Sequence, residues 1–481
     1  MNRWCFSCSI ALLSLAVGCG GDTAGQKKDQ LEYVGVTLKL SIEKGSPLSE
    51  ALRLRVPEWE ARTGGKVETT EDDNVDAGAD VAACSGATLA ELPHRRALSP
   101  DFRKKTEVEF LHIPYLHQTA FGARAGSPIA VPLVVEQFLL WRRADLFADE
   151  KLKAAYQKEF DKPLAPPATW DDYAGMAAFM QRSKAVKFGC VEAFGDDVEG
   201  LRGFFARAAS CSEDPRGTPL ELEDARSRLS DPDYQKAAEN LLESLKSSPA
   251  TGGKTLSLLE ARAIFAAGDA AMILSTAPPT SHPSLKIAPG FADKLAVSSL
   301  PTSPDVFSLK SKTWRSRQLK GEEVPSAPYL ATTGYFLCVS ETTKNSKAAE
   351  DLVAFLSSVR DSAYLVQGAR LGLTPAREEM LNDSGRFSGG YGLPGKLTAD
   401  YFTLVREGLR PSRWATDLRV EQSKAFLKPL SEQLRAAASG KVAVAAALQG
   451  AHRAWQKEIA RRSDSFVDEY RMSQGFSPRI K

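Results

Sequence analysis

Histidine is scarce in this chain. With 481 residues and 5 histidines, a histidine-built metal site has little to draw on. Net charge is nearly absent: 62 Lys+Arg stand against 60 Asp+Glu, a formal balance of +2. No one-signed field exists to attract nucleic acid or anionic lipid. Of the 7 cysteines, the four beyond Cys19 contain no CxxC spacing, which removes both a zinc ribbon and a dithiol redox motif. Beyond the first residues, no apolar run is long enough to span a bilayer. Missing as well are a GxSxG elbow, an HExxH helix, a P-loop and a GxGxxG turn after a strand. No cofactor is implied and an enzyme is not expected. What remains is ordinary: 43% hydrophobic and 25% charged residues, enough for two large lobes or about three smaller units with cores of normal size.

The amino terminus reads as a targeting segment, residues 1–18. Arg3 precedes an apolar or small run from Trp4 to Val17, too short for a membrane span and fitting the h-region of a secretory signal. The run ends in Ala16-Val17-Gly18-Cys19, which resembles a bacterial lipobox. That resemblance implies cleavage before Cys19 and lipidation of Cys19, so that the protein is held at a membrane; a plain secretory signal is the other reading. Residues 19–33 form a polar tether. Export permits disulfides among Cys84, Cys190, Cys211 and Cys338. Two readings stand: a loop closed by Cys190 and Cys211, or four separately buried thiols.

From residue 36 the pattern alternates between strand and helix. Residues 36–42 alternate apolar and polar as a half-buried strand does. Ser46-Pro47 opens a helix that stops at Gly64-Gly65. Residues 66–70 are a second strand, and 80–84 a short buried one followed by Ser85-Gly86 and a helix from Thr88 to Leu92. Thr169 with Asp172 reads as a capped helix start. Helices are expected over 231–247 and 257–267, and a small-residue strand over 269–275. The stretch 301–328 reads as irregular, with five basic residues from Lys310 to Lys320 in a solvated loop. The carboxyl third reads as helical, broken at Gly440 and Gly450. This βαβ rhythm predicts mostly parallel sheets covered by helices, with ligands beyond the carboxyl ends of strands. Glu43, Lys44, Ser85 and Gly86 are candidates on that ground alone.

Several segments, in order, resemble the extracellular solute-binding proteins of ABC importers, in the branch of sugar and maltose-type binders. They are Pro57-Glu58-Trp59-Glu60-Ala61-Arg62-Thr63-Gly64, Pro128-Ile129-Ala130-Val131-Pro132, Ala168-Thr169-Trp170-Asp171-Asp172-Tyr173, Phe265-Ala266-Ala267-Gly268-Asp269-Ala270-Ala271-Met272, and Gly372-Leu373-Thr374-Pro375-Ala376-Arg377. The resemblance implies an α/β, two-lobed periplasmic-binding-protein fold (type II), each lobe a mixed, mostly parallel sheet flanked by helices, with the ligand cleft between. It divides the chain into an N-terminal lobe of 34–140 plus 290–370 and a C-terminal lobe of 141–289 plus 371–481. It also implies a monomer that closes on a small solute, by this branch a carbohydrate, and presents it to ABC permease subunits. A same-fold receptor for a membrane sensor, or a binder of a non-sugar solute, are the alternatives.

Carbohydrates are held by planar polar side chains and aromatic faces. Glu136 lies on the crossover strand where this family often places a cleft-facing acid; a hinge or solvent carboxylate is the other reading. Glu43 and Ser85 follow strand ends, with turn chemistry as their alternative. Tyr335, after Thr332-Thr333-Gly334, and Trp414, in Pro411-Ser412-Arg413-Trp414, are the aromatic candidates, against core packing and a surface contact. One departure matters. After the Ala-Ala-Met strand many sugar binders carry a stacking aromatic; this chain has Ser275-Thr276-Ala277-Pro278-Pro279, leaving Thr276 as a polar candidate. Trp59, Trp170 and Trp455 sit on helices and read as core.

Overall fold

The computed structural model describes residues 31–481 except 77, 93–94, 107–112, 114–122, 125–126, 214–216, 318–328, 331–333, 369–371, 411–413, 464, 475 and 480–481. The targeting segment, Cys19 and most of the tether lie outside the described residues, as do Lys320, Thr332 and Thr333.

Two sheets organise the chain. The first runs in the order Lys66–Asp72, Thr37–Glu43, Val81–Ser85, Tyr335–Val339, Ala130–Pro132. The second runs Leu295–Ser298, Leu139–Arg143, Ala270–Ser275, Phe188–Val191. Thr37–Glu43 buries Leu38, Leu40 and Ile42 and leaves Thr37 and Lys39 exposed, as its alternation requires. Val81–Ser85 and Ala270–Ser275 are buried throughout, as continuous runs of small and apolar residues in mid-sheet should be.

Both sheets are mixed, but the expected mostly parallel character is corrected. Three ladders are parallel and four are antiparallel. Within these two sheets each antiparallel ladder involves Leu139–Arg143 or Tyr335–Val339. These are the strands by which the chain crosses from one sheet to the other and back, so they enter against the βαβ direction. Leu295–Ser298, assigned from sequence to the first lobe, pairs with Leu139–Arg143 in the second sheet, because the chain recrosses only after it. Two short ladders tie the connecting segments, Val134–Val135 with Thr374–Pro375 and Tyr329–Leu330 with Ala415–Thr416.

Capping boxes start two helices: Thr169 with Asp172 opens Trp170–Arg182, and Ser257 with Glu260 opens Leu258–Ala266. The first helix, Ser49–Thr63, begins beyond Ser46-Pro47, because the Ser46 hydroxyl accepts from the Leu48 N–H and holds a turn there. It ends at Gly64, whose φ of 78° suits glycine. The stretch read as irregular contains a hairpin, Asp305–Ser308 with Thr313–Ser316, pinned by buried Phe307. Lys310, Lys312 and Arg315 on it are exposed. Arg317 is not a solvated charge: its guanidinium donates to the carbonyls of Ser303 and Ser210. Gly440 does follow a helix end, with φ 73°. Gly450 breaks nothing; it lies inside Val444–Ile459, where a Cβ would meet Gln433 Oε1 at 2.9 Å. It is there for close approach to the helix Lys424–Ala438, which carries Gln433.

Trp59, Trp170 and Trp455 are buried core residues. All four described cysteines are buried thiols; Cys190 lies beside Tyr173 and Glu192, and Cys211 beside Ser303 and Ser210. The Cys190 thiol donates to the Ser244 carbonyl at 3.3 Å.

Candidate functional site

The first sheet offers one wall. Glu43 closes the strand Thr37–Glu43, and its carboxylate accepts from the Ser85 N–H, the Ser85 hydroxyl and the Thr88 hydroxyl. Ser85 is also the N-cap of Gly86–Glu91, accepting from the Thr88 N–H at 3.2 Å. Glu43 and Ser85 thus fasten a strand end to a helix start, so the turn chemistry read from sequence is part of their role. Tyr335 stands opposite Ser85 in the antiparallel ladder and is half-buried. Gly334 before it admits no side chain, since a Cβ would sit 2.4 Å from the Val134 carbonyl.

The second wall comes from the other sheet. Glu136 lies in the connection between Val134–Val135 and Leu139–Arg143. The Thr276 hydroxyl, just past the strand Ala270–Ser275, hydrogen-bonds its carboxylate. Burial pushes the Glu136 carboxyl up to about 7; Arg202 and Arg262 oppose the rise and Glu199 adds to it. Burial also raises Glu199. The Tyr335 phenol is raised first by burial and then by Glu136, Glu43 and Glu199. Five of the six sequence candidates therefore cluster: Glu43 with Ser85 and Glu136 with Thr276 are each hydrogen-bonded, and both carboxylates act on the Tyr335 phenol. Trp414 is half-buried against the core, directly before Ala415–Thr416. Asp417, just beyond that strand, joins the cluster through Arg202.

Sequence reading missed Glu199, Arg202, Arg262 and Tyr401. Glu199 and Arg202 lie one turn apart on Val198–Cys211. Arg202 is buried and donates to both carboxylate oxygens of Asp417, at 3.2, 3.3 and 3.0 Å, while the Tyr329 hydroxyl donates to Asp417 at 3.0 Å. Arg262 donates to the Pro278 carbonyl and the Ser281 hydroxyl, each at 2.8 Å; burial lowers it to about 10. Tyr401 shares a 2.6 Å hydrogen bond with Thr374 and donates to the Thr276 carbonyl at 3.4 Å. The one legible signal was Arg262, an arginine amid apolar residues of Leu258–Ala266, where a buried charge needs a partner.

The cluster offers carboxylate acceptors beside guanidinium, phenol and hydroxyl donors, as recognition of a hydroxylated solute requires. Among the described residues, no group of three or more His, Cys, Asp and Glu is placed to hold a metal. A crevice of about 140 Å³ also spans the two units, lined by Leu89, Glu91, Ile129, Arg419, Phe466 and Tyr470 among others. Its lining includes none of the cluster residues, and its chemistry is less convergent.

Beside that crevice the two units touch. Glu91, at the end of Gly86–Glu91, accepts from the Ser423 N–H at 3.2 Å and the Ser423 hydroxyl at 2.6 Å. Ser423 precedes Lys424–Ala438, so a carboxylate of one unit sits at a helix start of the other. Hydrogen bonds to a charged group contribute roughly 1.5–3 kcal/mol. Glu91→Ala is expected to shift the solute-free protein at least tenfold toward open forms, seen as a larger radius of gyration in small-angle X-ray scattering. An unchanged radius would mean that other contacts hold the units together.

Two mixed α/β lobes, crossed by connecting strands and with a cleft between them, define the type II periplasmic-binding-protein fold, a receptor architecture. A profile of the bacterial extracellular solute-binding proteins matches residues 65–387, and the chain belongs to that family. Comparison with curated protein sequences finds no match. Among solved structures, the fold is similar to an ABC transporter solute-binding protein from Agrobacterium radiobacter in complex with ribitol. The TM-score is 0.65 at 17% identity, covering 89% of this chain and 100% of the other. Maltose-bound MalE3 of T. maritima gives 0.64 at 16% identity, covering 88% and 100%. A solute-binding protein from Agrobacterium vitis with bound D-mannitol gives 0.62 at 16% identity, covering 89% and 99%.

Proposed function

We propose that this protein is the lipid-anchored, extracytoplasmic receptor of an ABC importer, which captures a small carbohydrate or polyol and delivers it to the permease subunits. The observation that carries this reading is the convergence of Glu43, Ser85, Glu136, Thr276 and Tyr335 from two separate sheets. A solute bridging such groups favours the closed form over the open one, and a transporter reads that difference. Glu136, Thr276 and Tyr335 contact the solute, Glu43 and Ser85 shape its floor, and Trp414 borders it. The lobes correspond to the two sheets, with the strands Thr37–Glu43, Lys66–Asp72, Val81–Ser85 and Ala130–Pro132 and the returning strand Tyr335–Val339 in the first.

Thr276 stands where many sugar binders have a stacking aromatic, which suits a solute held mainly by hydrogen bonds. The ribitol and mannitol in the similar structures are open-chain polyols of that kind. The tetrad Ala16-Val17-Gly18-Cys19 supports the anchor, and two or more acyl chains on one cysteine hold a protein firmly.

The test is a thermal-shift screen of the soluble form, lacking residues 1–19, against polyols, mono- and oligosaccharides, amino acids and polyamines. Solute at about 100 times its Kd adds roughly 2.7 kcal/mol of stability, and a hit among polyols or sugars is expected. Hits confined to amino acids or polyamines would remove the carbohydrate reading and leave a binding protein. For the anchor, metabolic labelling with a radioactive fatty acid should mark the full chain and not its Cys19→Ser variant.

A further inference from the structure

Two thiols that sequence spacing did not connect meet inside the first sheet. Cys84 lies on Val81–Ser85 and Cys338 on Tyr335–Val339. In their antiparallel register Cys84 faces Phe336 and Cys338 faces Ala82. Side chains alternate with period two along a strand, so Cys84 and Cys338 share one face of the sheet, one diagonal step apart. Their side chains are in hydrogen-bond contact, and both residues are 0% exposed. Cys190 and Cys211 have other neighbours: Cys190 bonds the Ser244 carbonyl, and Cys211 lies beside Ser303 and Ser210.

Members of an extracellular family fold where disulfides form and persist. We propose that Cys84 and Cys338 form a disulfide in the exported protein, clamping the returning crossover strand to the central strand of the sheet. The clamp lies next to the candidate site, since Ser85 follows Cys84 and Tyr335 opens the strand that carries Cys338. Bond formation turns the Cys338 thiol away from the Ala82 carbonyl, to which it donates at 3.7 Å, and brings the sulfurs to ~2.05 Å by side-chain rotation.

The chemistry is thiol–disulfide exchange with an oxidised protein disulfide as the oxidant. Either cysteine can attack first, and the steps are the same with Cys338 in that place. The Cys338 thiolate attacks one sulfur of the oxidant and expels the other as a thiol, leaving a mixed disulfide. Cys84 then loses its proton, attacks the Cys338 sulfur and releases the second thiol. The two cysteines lose two electrons and two protons, and the oxidant is reduced to its dithiol. Exchange takes place during folding, because the closed sheet seals both sulfurs from solvent.

To test this, the full-length chain is exported to an oxidising periplasm and quenched in acid. It is then alkylated in denaturant and mapped by non-reducing proteolysis and mass spectrometry. The expected product is a peptide pair linking Cys84 to Cys338, with Cys190 and Cys211 alkylated. A reductant should lower the guanidinium unfolding midpoint of the wild type and leave that of the Cys84→Ala, Cys338→Ala double variant unmoved. The Cys190→Ser, Cys211→Ser variant should retain the linked peptide. The same map is made on purified reduced chain refolded with oxidised glutathione, so that poor export does not decide the result. Alkylation of all four cysteines in both preparations, or a linkage between any other two, overturns the proposal. Solute binding is measured separately, so loss of the disulfide and loss of the receptor reading are distinguishable.

Discussion

Glu136→Gln should make the solute-free protein more stable at pH 8 and bind its solute more weakly. Burial raises the Glu136 carboxyl from 4.5 to about 7. The fold therefore favours the protonated form. That favourable contribution is fully present below the unfolded value near 4.5 and is lost as pH rises through 7. Over this window the wild type loses up to about 3 kcal/mol, since each tenfold change in proton affinity is worth about 1.4 kcal/mol. Glutamine mimics the neutral carboxyl at every pH. The stability gain of the variant should thus approach about 3 kcal/mol at pH 8, shrink as pH falls through 7, and vanish near pH 4.5. Thermal or urea unfolding across that range measures it.

The groups facing Glu136 set the size of the effect. Arg202 and Arg262 pull the carboxyl down, Glu199 pushes it up, and the Thr276 hydroxyl stabilises the ionised form. A bound solute with hydroxyl donors adds to that stabilisation, so binding should draw a proton from Glu136 near neutral pH. The same substitution removes a charged acceptor, and solute affinity should fall tenfold or more. A variant no more stable than the wild type at pH 8 would show that Glu136 is solvated like a surface carboxylate.

Asp417→Asn is expected to have the largest effect on stability. Asp417 pairs with Arg202, both buried, and accepts from the Tyr329 hydroxyl. It sits where the ladder of Tyr329–Leu330 with Ala415–Thr416 meets the helix Val198–Cys211. Removing one member of a buried ion pair leaves the other charge uncompensated, which costs about 3–5 kcal/mol. Tm should fall by about 3–5 °C. With Asp417 neutral, Arg202 turns more fully to Glu136 and Glu199, and the Glu136 carboxyl should titrate lower. Asp417→Asn and Glu136→Gln should therefore combine non-additively. A Tm within a degree of the wild type would place the strength of this junction elsewhere.

Much of the candidate cluster was legible because its residues sit at strand ends, and strand ends follow from local pattern. Glu43 and Ser85 follow alternating or buried apolar runs, and Thr276 follows a strand of small and apolar residues. Arg202 carries no such mark. It lies on a helix beside Glu199, and only the approach of Asp417, from far along the chain, turns the pair into part of the site. The Gly450 misreading has the same origin: glycine stops a helix when the chain must turn left-handed, but here it admits Gln433 of a neighbouring helix.

Strand and helix alternation and the capped start at Thr169 were determined by short-range chemistry: side-chain periodicity and a hydroxyl cap answered by a carboxylate three residues on. The direction of the crossing strands, the meeting of Cys84 with Cys338, and the burial that raises Glu136 were decided only by the tertiary structure. Each depends on which distant segments come to lie side by side, and that follows from the burial of both sheets at once rather than from any local stretch of residues.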